Sequence, residues 1–353
     1  MALSVGIVGF PNVGKSTLFQ TITKKQVECA NYAFCTIDPN VGFVSVYDKR
    51  IDEISRVVET KKKTYPIVEF IDIAGLVEGA SQGKGLGNRF LSHIRETNLI
   101  IYVLRAFKNS QVMSTREEIN PLKEAELLET ELILKDLDVI EKRMNSLEKE
   151  VRAQKKEAIL EMETLKKARK LLEENIVLIE GKFSEKEIKI ISSYSFLTYK
   201  PMIYLLNGKE DEISEEIKKS FGNKNFFIVD IKSEEESYNL TEEERVDLGF
   251  SQFSKIDNLI KKSYDFLGLI TFFTAGPEEI RAWKIRKGAK APEAGGVIHS
   301  DFEEGFIKAD VINWQDLINS GGFSEARKKG LIRTEGKDYI VCDGDVIEIK
   351  FKN

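Results

Sequence analysis

Short apolar runs recur along the chain and are separated by polar, turn-prone segments. Each run has the length of a buried strand, and strands that are apolar on both faces are typical of a parallel sheet covered by helices. We therefore predict strands at residues 5–8, 67–73, 99–104, 201–207 and 226–231. Residues 41–47 alternate in polarity and predict a further strand.

Between residues 121 and 200 the pattern changes to a helical period rich in Leu, Glu and Lys. Apolar residues recur there at alternating spacings of four and three, which predicts two long helices packed as an antiparallel coiled coil. The seam positions are Ile133, Leu137, Ile140, Met144, Leu147 and Val151, continued by Met162, Leu165, Leu172 and Ile176. A ligand site along this seam is the less favoured interpretation, because such stripes are usually core.

From residue 267 the chain indicates a compact α+β module, with short strands at 270–273 and 346–351 and a helix near 314–320. The predicted fold class is therefore α/β with an inserted helical hairpin. The predicted domains are a nucleotide-binding domain at 1–120 and 201–266, a helical insertion at 121–200 and a C-terminal module at 267–353.

Composition adds few constraints. The 353 residues are 42% hydrophobic with a formal net charge of −5, which argues against a broadly basic surface for nucleic acid but leaves a local basic patch open. The first strand follows Met1 closely, and the longest apolar run is too short for a membrane span, so we expect a cytoplasmic protein without a signal peptide. Cys29, Cys35 and Cys342 show no paired spacing, so we expect neither a disulfide framework nor a zinc site.

The first strand leads into the strongest motif of the chain. Gly9, four further residues and then Gly14-Lys15-Ser16 have Walker A spacing, followed by a predicted helix at 15–23. In such a loop the backbone N–H groups and the helix N-terminus bind phosphate. Lys15 reaches the β- and γ-phosphates, and Ser16 ligates Mg²⁺. The predicted nucleotide-binding residues here are Asn12, Val13, Gly14, Lys15, Ser16 and Thr17; the alternative is a glycine-rich turn that matches by chance.

Three further residues are predicted to act on Mg²⁺ and the γ-phosphate. Thr36, in the polar segment 31–40, is the candidate second direct metal ligand, although it could merely cap a turn. Asp72 ends a predicted core strand and would hold the metal through water. Gly75 would let its backbone N–H approach the γ-phosphate, so the predicted catalytic set is Lys15, Thr36, Asp72 and Gly75.

The loop after Gly75 carries four glycines within residues 76–88, which is typical of a nucleotide switch. Leu76 stands where Ras-like enzymes keep a water-orienting glutamine. Hydrolysis is therefore expected to be slow or completed from elsewhere. Asn12 could coordinate a K⁺ ion that supplies the missing positive charge, or it could simply hold the shape of the loop.

The base-binding segment is predicted at Asn207-Gly208-Lys209-Glu210. GTPases read guanine with Asn-Lys-x-Asp, whose aspartate accepts from N1–H and the N2 amine. Here the lysine is displaced and the carboxylate is one methylene longer, so guanine recognition is impaired. Asn207 can still bond the N6 and N7 edge of adenine. The alternative is that Asn-Gly forms only a turn and the base is contacted elsewhere.

Several segments together resemble the YchF/Obg-like ATPase family. They are Gly-Phe-Pro-Asn-Val-Gly-Lys-Ser-Thr at 9–17, Phe-Cys-Thr-Ile-Asp-Pro-Asn at 34–40 and Asp-Ile-Ala-Gly-Leu-Val-Glu-Gly-Ala at 72–80, with further matches at 85–91, 271–283, 298–306 and 336–346. The last three resemble a TGS domain, a ubiquitin-like β-grasp module. The resemblance implies an Mg²⁺-dependent ATPase that prefers ATP to GTP and associates with ribosomes in translation and stress responses.

Two other readings of the function stay open: an ordinary GTPase, and a ribosome- or RNA-binding adaptor with a largely structural nucleotide. Family members commonly carry a histidine in the strand where this chain has Tyr102, so that proposed hydrolysis residue cannot be carried over. Lys284, Arg286, Lys287 and Lys290 form a basic cluster that would contact ribosomal RNA or be a solvated loop. We expect no membrane or DNA partner.

Overall fold

The computed structural model of the chain describes residues 4–24, 40–73, 93–107, 119–222 and 224–352, which form an α/β structure. The chain divides into two compact units. The first comprises Met1–Gly42 and Glu69–Ile256, and the second comprises Phe43–Val68 and Asp257–Asn353.

A six-stranded sheet carries the predicted apolar runs. Its strands are β1 (Ser4–Val8), β2 (Val41–Ser45), β4 (Ile67–Asp72), β5 (Leu99–Arg105), β6 (Met202–Asn207) and β7 (Phe226–Val229), in the order β2-β4-β1-β5-β6-β7. β1 runs parallel to β4 and β5, and β6 runs parallel to β5 and β7. Every residue of β1, β5 and β6 is buried, as expected for strands covered on both faces.

The parallel arrangement decides where a site can form. The carboxyl ends of β1, β4, β5, β6 and β7 meet at one edge of the sheet, where ligands of open α/β sheets bind. Helix α1 (Lys15–Thr23) begins at this edge, directly after β1. Further helices of this unit outside the insertion include α6 (Glu215–Phe221), α7 (Ile231–Glu236), α8 (Glu242–Asp247) and the start of α9 (Lys255–Phe266).

The helical insertion contains one long helix and shorter ones. Helix α3 (Pro121–Arg152) has 32 residues and α4 (Lys156–Glu173) has 18, and a third helix, α5 (Glu185–Ser193), lies beside two 3₁₀ turns, Leu178–Glu180 and Leu197–Tyr199. The seam residues from Ile133 to Leu172 are buried or half-buried in one cluster, which also contains Phe196. The predicted seam residue Ile176 instead lies beyond the end of α4, because that helix stops at Glu173.

The second unit is built on a mixed sheet. Its strands are β3 (Lys62–Thr64), β8 (Leu269–Ala275), β9 (Glu279–Arg286), β10 (Phe306–Asn313), β11 (Arg333–Glu335) and β12 (Asp345–Phe351), in the order β11-β10-β12-β8-β9-β3. β8 and β9 form an antiparallel hairpin, and the last strand pairs parallel with β8, as in a β-grasp module. The helices are α2 (Lys49–Val58), α10 (Ala291–Ile298), α11 (Ser300–Glu304), α12 (Trp314–Ser320) and α13 (Phe323–Lys328).

Residues 43–68 were included in the predicted nucleotide-binding domain, but they lie in the second unit. Ile51 and Ile54 of α2 are fully buried in a core with Phe273 and Val346, and β3 pairs parallel with β9. The amphipathic pattern of α2 shows that one face is buried but not which sheet covers it. The division into three domains stays a prediction. In the described part of the chain, no helix is both long and apolar enough to cross a membrane.

Candidate functional site

The loop between β1 and α1 has the backbone that the Walker A spacing predicts. Asn12 and Gly14 adopt left-handed conformations, with φ angles of 62° and 103°. The helix begins directly afterwards at Lys15. Turns of this kind let successive backbone N–H groups point to one side, which is how a phosphate-binding loop forms an anion site.

Two glycines of this loop occupy positions where no side chain fits. A Cβ on Gly9 would lie 2.4 Å from the carbonyl oxygen of Val103, and a Cβ on Gly14 would lie 2.5 Å from the amide nitrogen of Asn207. Contacts this short would displace the loop or the strands below it. The glycines therefore allow the loop to pack closely on β5 and β6.

The ammonium of Lys15 lies within the loop itself. It donates a hydrogen bond of 2.8 Å to the carbonyl oxygen of Phe10. Burial lowers the pKa of Lys15, and the negative charge of Asp72 partly opposes this effect. A half-buried cation at the start of α1 is suited to neutralising phosphate.

Asp72, the last residue of β4, lies next to the start of α1. The hydroxyl of Ser16 donates to its Oδ2 at 3.4 Å, whereas Oδ1 is buried and has no hydrogen-bond partner among the described residues. Burial raises the pKa of Asp72, and both Lys15 and Ser16 oppose the shift. A carboxylate oxygen left unsatisfied beside a hydroxyl fits a divalent cation bound directly or through water.

Within the described ranges, no group of three or more His, Cys, Asp or Glu side chains could hold a metal ion. Ser16 and Asp72 are the described residues that could contribute to a cation site, and nucleotide phosphates could supply further ligands. Thr36 and Gly75, the other predicted residues of this set, lie outside the described residues, as does Leu76.

Asn207 braces the phosphate-binding loop from the end of β6. Its amide nitrogen donates to the carbonyl oxygen of Val13 at 2.9 Å, and its amide oxygen accepts from the backbone N–H of Ile231 at 3.2 Å. The side chain is 7% exposed. These bonds give Asn207 a structural role and leave one amide hydrogen for a ligand, so its contact with the base stays a prediction.

The predicted base-reading carboxylate, Glu210, is exposed and carries an ion pair. The ammonium of Lys255 donates to its Oε2 at 2.9 Å, and this bond lowers the pKa of the Glu210 carboxyl. A Cβ on Gly208 would lie 3.0 Å from the carbonyl oxygen of Ala106, so the lysine of the guanine motif would press on the backbone after β5. Lys255 was missed by sequence reasoning because it lies 45 residues away and belongs to no motif.

Tyr102 belongs to the core of the sheet. It is 1% exposed and its ring stacks on Tyr204 with centroids 5.5 Å apart. Its hydroxyl is buried and unpaired among the described residues, and burial raises its pKa. The side chain that replaces the family's histidine therefore acts in packing.

The basic cluster of the second unit is smaller than its sequence suggests. Lys284 donates to the carbonyl oxygen of Ile67 at 2.7 Å, and Lys290 forms an ion pair of 2.7 Å with Asp338. Arg286 and Lys287 are exposed. These two residues, and the exposed Lys290 that pairs with Asp338, are the candidates for a phosphate contact.

Two family models match different parts of the chain. Residues 4–163 match the family model MMR_HSR1, described as a 50S ribosome-binding GTPase. Residues 269–352 match YchF-GTPase_C, described as a protein of unknown function.

The relatives match over their full length. The ribosome-binding ATPase YchF of Bacillus subtilis is 44% identical to the chain, with 99% of the chain and 100% of the relative covered. The protein of the same name from Haemophilus influenzae is 41% identical, with 99% of each covered. The structure of the Schizosaccharomyces pombe YchF GTPase is similar with a TM-score of 0.88 at 36% identity, covering 99% of this chain and 97% of that one. The fold class predicted from the sequence is confirmed, and the chain belongs to the YchF family.

Proposed function

We propose that this protein is a cytoplasmic, Mg²⁺-dependent ATPase that binds ATP in preference to GTP, hydrolyses it slowly and associates with ribosomes. The observation that carries the proposal is the arrangement of Lys15, Ser16 and Asp72 around the loop after β1. The names of the relatives, ribosome-binding ATPases from two bacteria, supply the nucleotide and the partner.

In this proposal the phosphates lie on the N-terminus of α1. Backbone N–H groups from Val13 to Thr17 and the helix dipole bind them. Lys15 exchanges its bond to Phe10 for the β- and γ-phosphates, which a flexible ammonium can do at small cost. Because burial already disfavours its charged form, Lys15 gains from an anionic ligand.

Mg²⁺ supplies charge neutralisation between the β- and γ-phosphates when it is bound. We propose that Ser16 and Thr36 hold it directly and that Asp72 holds it through water. The Oδ1 of Asp72, which has no hydrogen-bond partner in the described part of the chain, supports this role. Gly75 would donate its backbone N–H to the γ-phosphate. A K⁺ ion at Asn12 stays a prediction, and the left-handed backbone of Asn12 equally suits a residue that shapes the loop.

Slow turnover follows from the residue at position 76. Leu76 has no polar group with which to orient the attacking water. Tyr102 is packed in the sheet and offers no substitute. Hydrolysis would then depend on charge stabilisation alone, or on a group that the ribosome contributes.

GTP is the alternative nucleotide, because the solved relative from S. pombe is named a GTPase. Titration of the purified chain with ATP and with GTP, each in Mg²⁺ buffer, decides between them. We expect ATP to bind more tightly, and Lys15→Ala to weaken both nucleotides alike. A wild type that prefers GTP by tenfold, about 1.4 kcal/mol, would overturn the ATP assignment.

A further inference from the structure

The loop after β6 holds the carboxylate that would face the base. Asn207 ties the start of this loop to Val13 of the phosphate-binding loop and to Ile231 at the start of α7. Glu210 follows three residues later, and its side chain is 65% exposed. A nucleotide with its phosphates on α1 would therefore place its base near this loop.

Glu210 does not present a bare carboxylate. Lys255 at the start of α9 reaches it with a hydrogen-bonded ion pair of 2.9 Å, and the lysine side chain is 35% exposed. The half-covered lysine contrasts with Lys209, the neighbour of Glu210 in sequence, which is 60% exposed and lies 3.9 Å from Glu212. The pair thus joins two segments rather than two neighbours on one surface.

Lys255 is anchored from the buried side. Its backbone N–H donates to Oε1 of Glu234 at 3.1 Å, and the same oxygen accepts from the guanidinium of Arg245 at 3.1 Å. Glu234 and Arg245 are each 5% exposed. A buried ion pair with these additional bonds holds a fixed geometry. The backbone of Lys255 is therefore held in place, while its ammonium extends toward Glu210.

The two purines respond differently to such a pair. Guanine presents donors at N1 and at its N2 amine, which need an ionised carboxylate with free lone pairs. An ammonium bonded to that carboxylate uses part of its acceptor capacity and repels the partial positive charge of further donors. Adenine has an acceptor at N1 and no N2 amine, so it loses nothing when the carboxylate is occupied.

We propose that Lys255 is a specificity-determining residue that suppresses guanine binding by occupying the carboxylate of Glu210. This inference rests on the proposed function, since it takes the nucleotide to bind on α1 with its base at residues 207–210. Lys255, at the start of α9, would then determine the choice of base together with the motif at residues 207–210. Lys255 acts through Glu210 and has no part in hydrolysis.

The test is a set of titrations with ATP, GTP and ITP on wild type, Lys255→Met and Lys255→Gln. Both variants keep the backbone N–H that binds Glu234 and remove the ammonium. We expect the affinity for GTP relative to ATP to rise about tenfold in both, about 1.4 kcal/mol. ITP, which lacks the N2 amine, should gain less than GTP. Lys261→Met, an exposed lysine of the same helix, is the matched control and should leave the ratio unchanged.

A second arm adds Glu210→Gln to Lys255→Met. The gain in GTP affinity should disappear, because no carboxylate remains at position 210 to accept from guanine. An unchanged ratio of GTP to ATP affinity in both Lys255 variants, or an equal gain without Glu210, would overturn the inference. Wild type that binds neither nucleotide would instead contradict the proposed function, so the two failures are distinguishable.

Discussion

Asp72 is a buried carboxylate whose Oδ1 has no hydrogen-bond partner among the described residues. Unpaired buried polar atoms cost stability and are retained mainly where a ligand uses them. Lys15 and Ser16 reduce the cost only in part, since the pKa of Asp72 remains raised by burial. The ionised Asp72 carboxylate therefore lowers the stability of the nucleotide-free protein, at the position where metal and phosphate would bind.

The cost of burying this carboxylate predicts that Asp72→Asn stabilises the nucleotide-free protein. A raised pKa means that the folded state disfavours the ionised carboxyl, so the cost is fully present above the folded-state pKa. Near pH 7.5 we expect a gain on the order of 1 kcal/mol, or about 3 °C in Tm. The gain should shrink as pH falls and vanish below the ordinary pKa of 3.8, where the carboxyl is protonated in both states.

Thermal unfolding of both proteins across pH, without nucleotide, measures this effect. Asp52→Asn serves as a control of opposite sign, because hydrogen bonds from Lys63 and Tyr47 lower the pKa of Asp52. Loss of stability in Asp72→Asn at neutral pH would mean that the carboxylate contributes to the fold itself.

At the residue scale, a sequence predicts chemistry best where the motif is local. Gly9, Gly14 and Lys15 lie in one short segment, so their spacing alone predicts a phosphate-binding loop. The bond between Asn207 and Val13 joins residues 194 apart, and the pair of Glu210 with Lys255 joins residues 45 apart. Such contacts depend on how the strands are ordered, which no spacing reveals.

Among the elements, helix α3 carries a charged residue on its buried face. Asp136 is fully buried and accepts bonds from the backbone N–H groups of Leu197 and Thr198, at 3.0 and 2.8 Å, and from the hydroxyl of Thr198 at 2.7 Å. It ties the 3₁₀ turn Leu197–Tyr199 to the helix just before β6. A carboxylate in a Glu- and Lys-rich helix is expected to face solvent, so this anchor could not be predicted from the sequence.

Asp136→Ala should therefore destabilise the insertion strongly. Two buried backbone N–H groups would lose their acceptor, at about 1–3 kcal/mol for each unsatisfied group, so we expect about 3 kcal/mol in total. Asp138→Ala removes an exposed carboxylate of the same helix and should change stability by less than about 0.5 kcal/mol. Urea unfolding followed by circular dichroism measures both, and equal effects would contradict the anchoring role.

The coiled-coil pattern predicted the helices better than their ends. Spacings of four and three fix which faces meet, and the residues from Ile133 to Leu172 are buried accordingly. Ile176 continued the spacing, but Asn175 takes a left-handed conformation with φ of 58° and the helix has already ended. Helix ends depend on such local turns more than on the apolar period.

At the scale of the whole molecule, the family points to a partner that composition alone does not indicate. The net charge of −5 argues against a broadly basic surface for nucleic acid. The relatives that match along the full chain are nevertheless named for ribosome binding. The two-unit division also differs from a linear reading, since α2 and β3 belong to the second unit. Apolar periodicity identifies elements but does not assign them to cores.

The proposed ribosome association predicts a salt dependence carried by few cations. Arg286, Lys287 and Lys290 are the exposed members of the basic cluster, Lys290 is paired with Asp338, and each phosphate contact releases a counterion. Reversing the charges of Arg286 and Lys287 to Glu should weaken ribosome cosedimentation and reduce the slope of log K against log salt by about 1–2. Lys328→Glu with Lys329→Glu makes the same charge change on α13 and the residue after it, and should have a smaller effect. Equal slopes in all three proteins would place the contact elsewhere, such as on the helical hairpin.

Phosphate release from ATP by wild type and Lys15→Ala examines the proposed enzyme most directly. Lys15 is half-buried and bonds only one backbone oxygen in the described structure, so its removal should leave Tm nearly unchanged. We expect slow, Mg²⁺-dependent release by wild type and a rate at least about 100-fold lower in the variant, as for loss of one charge-stabilising donor. A variant that folds and hydrolyses ATP within about twofold of wild type would show that the loop after β1 is not where hydrolysis occurs.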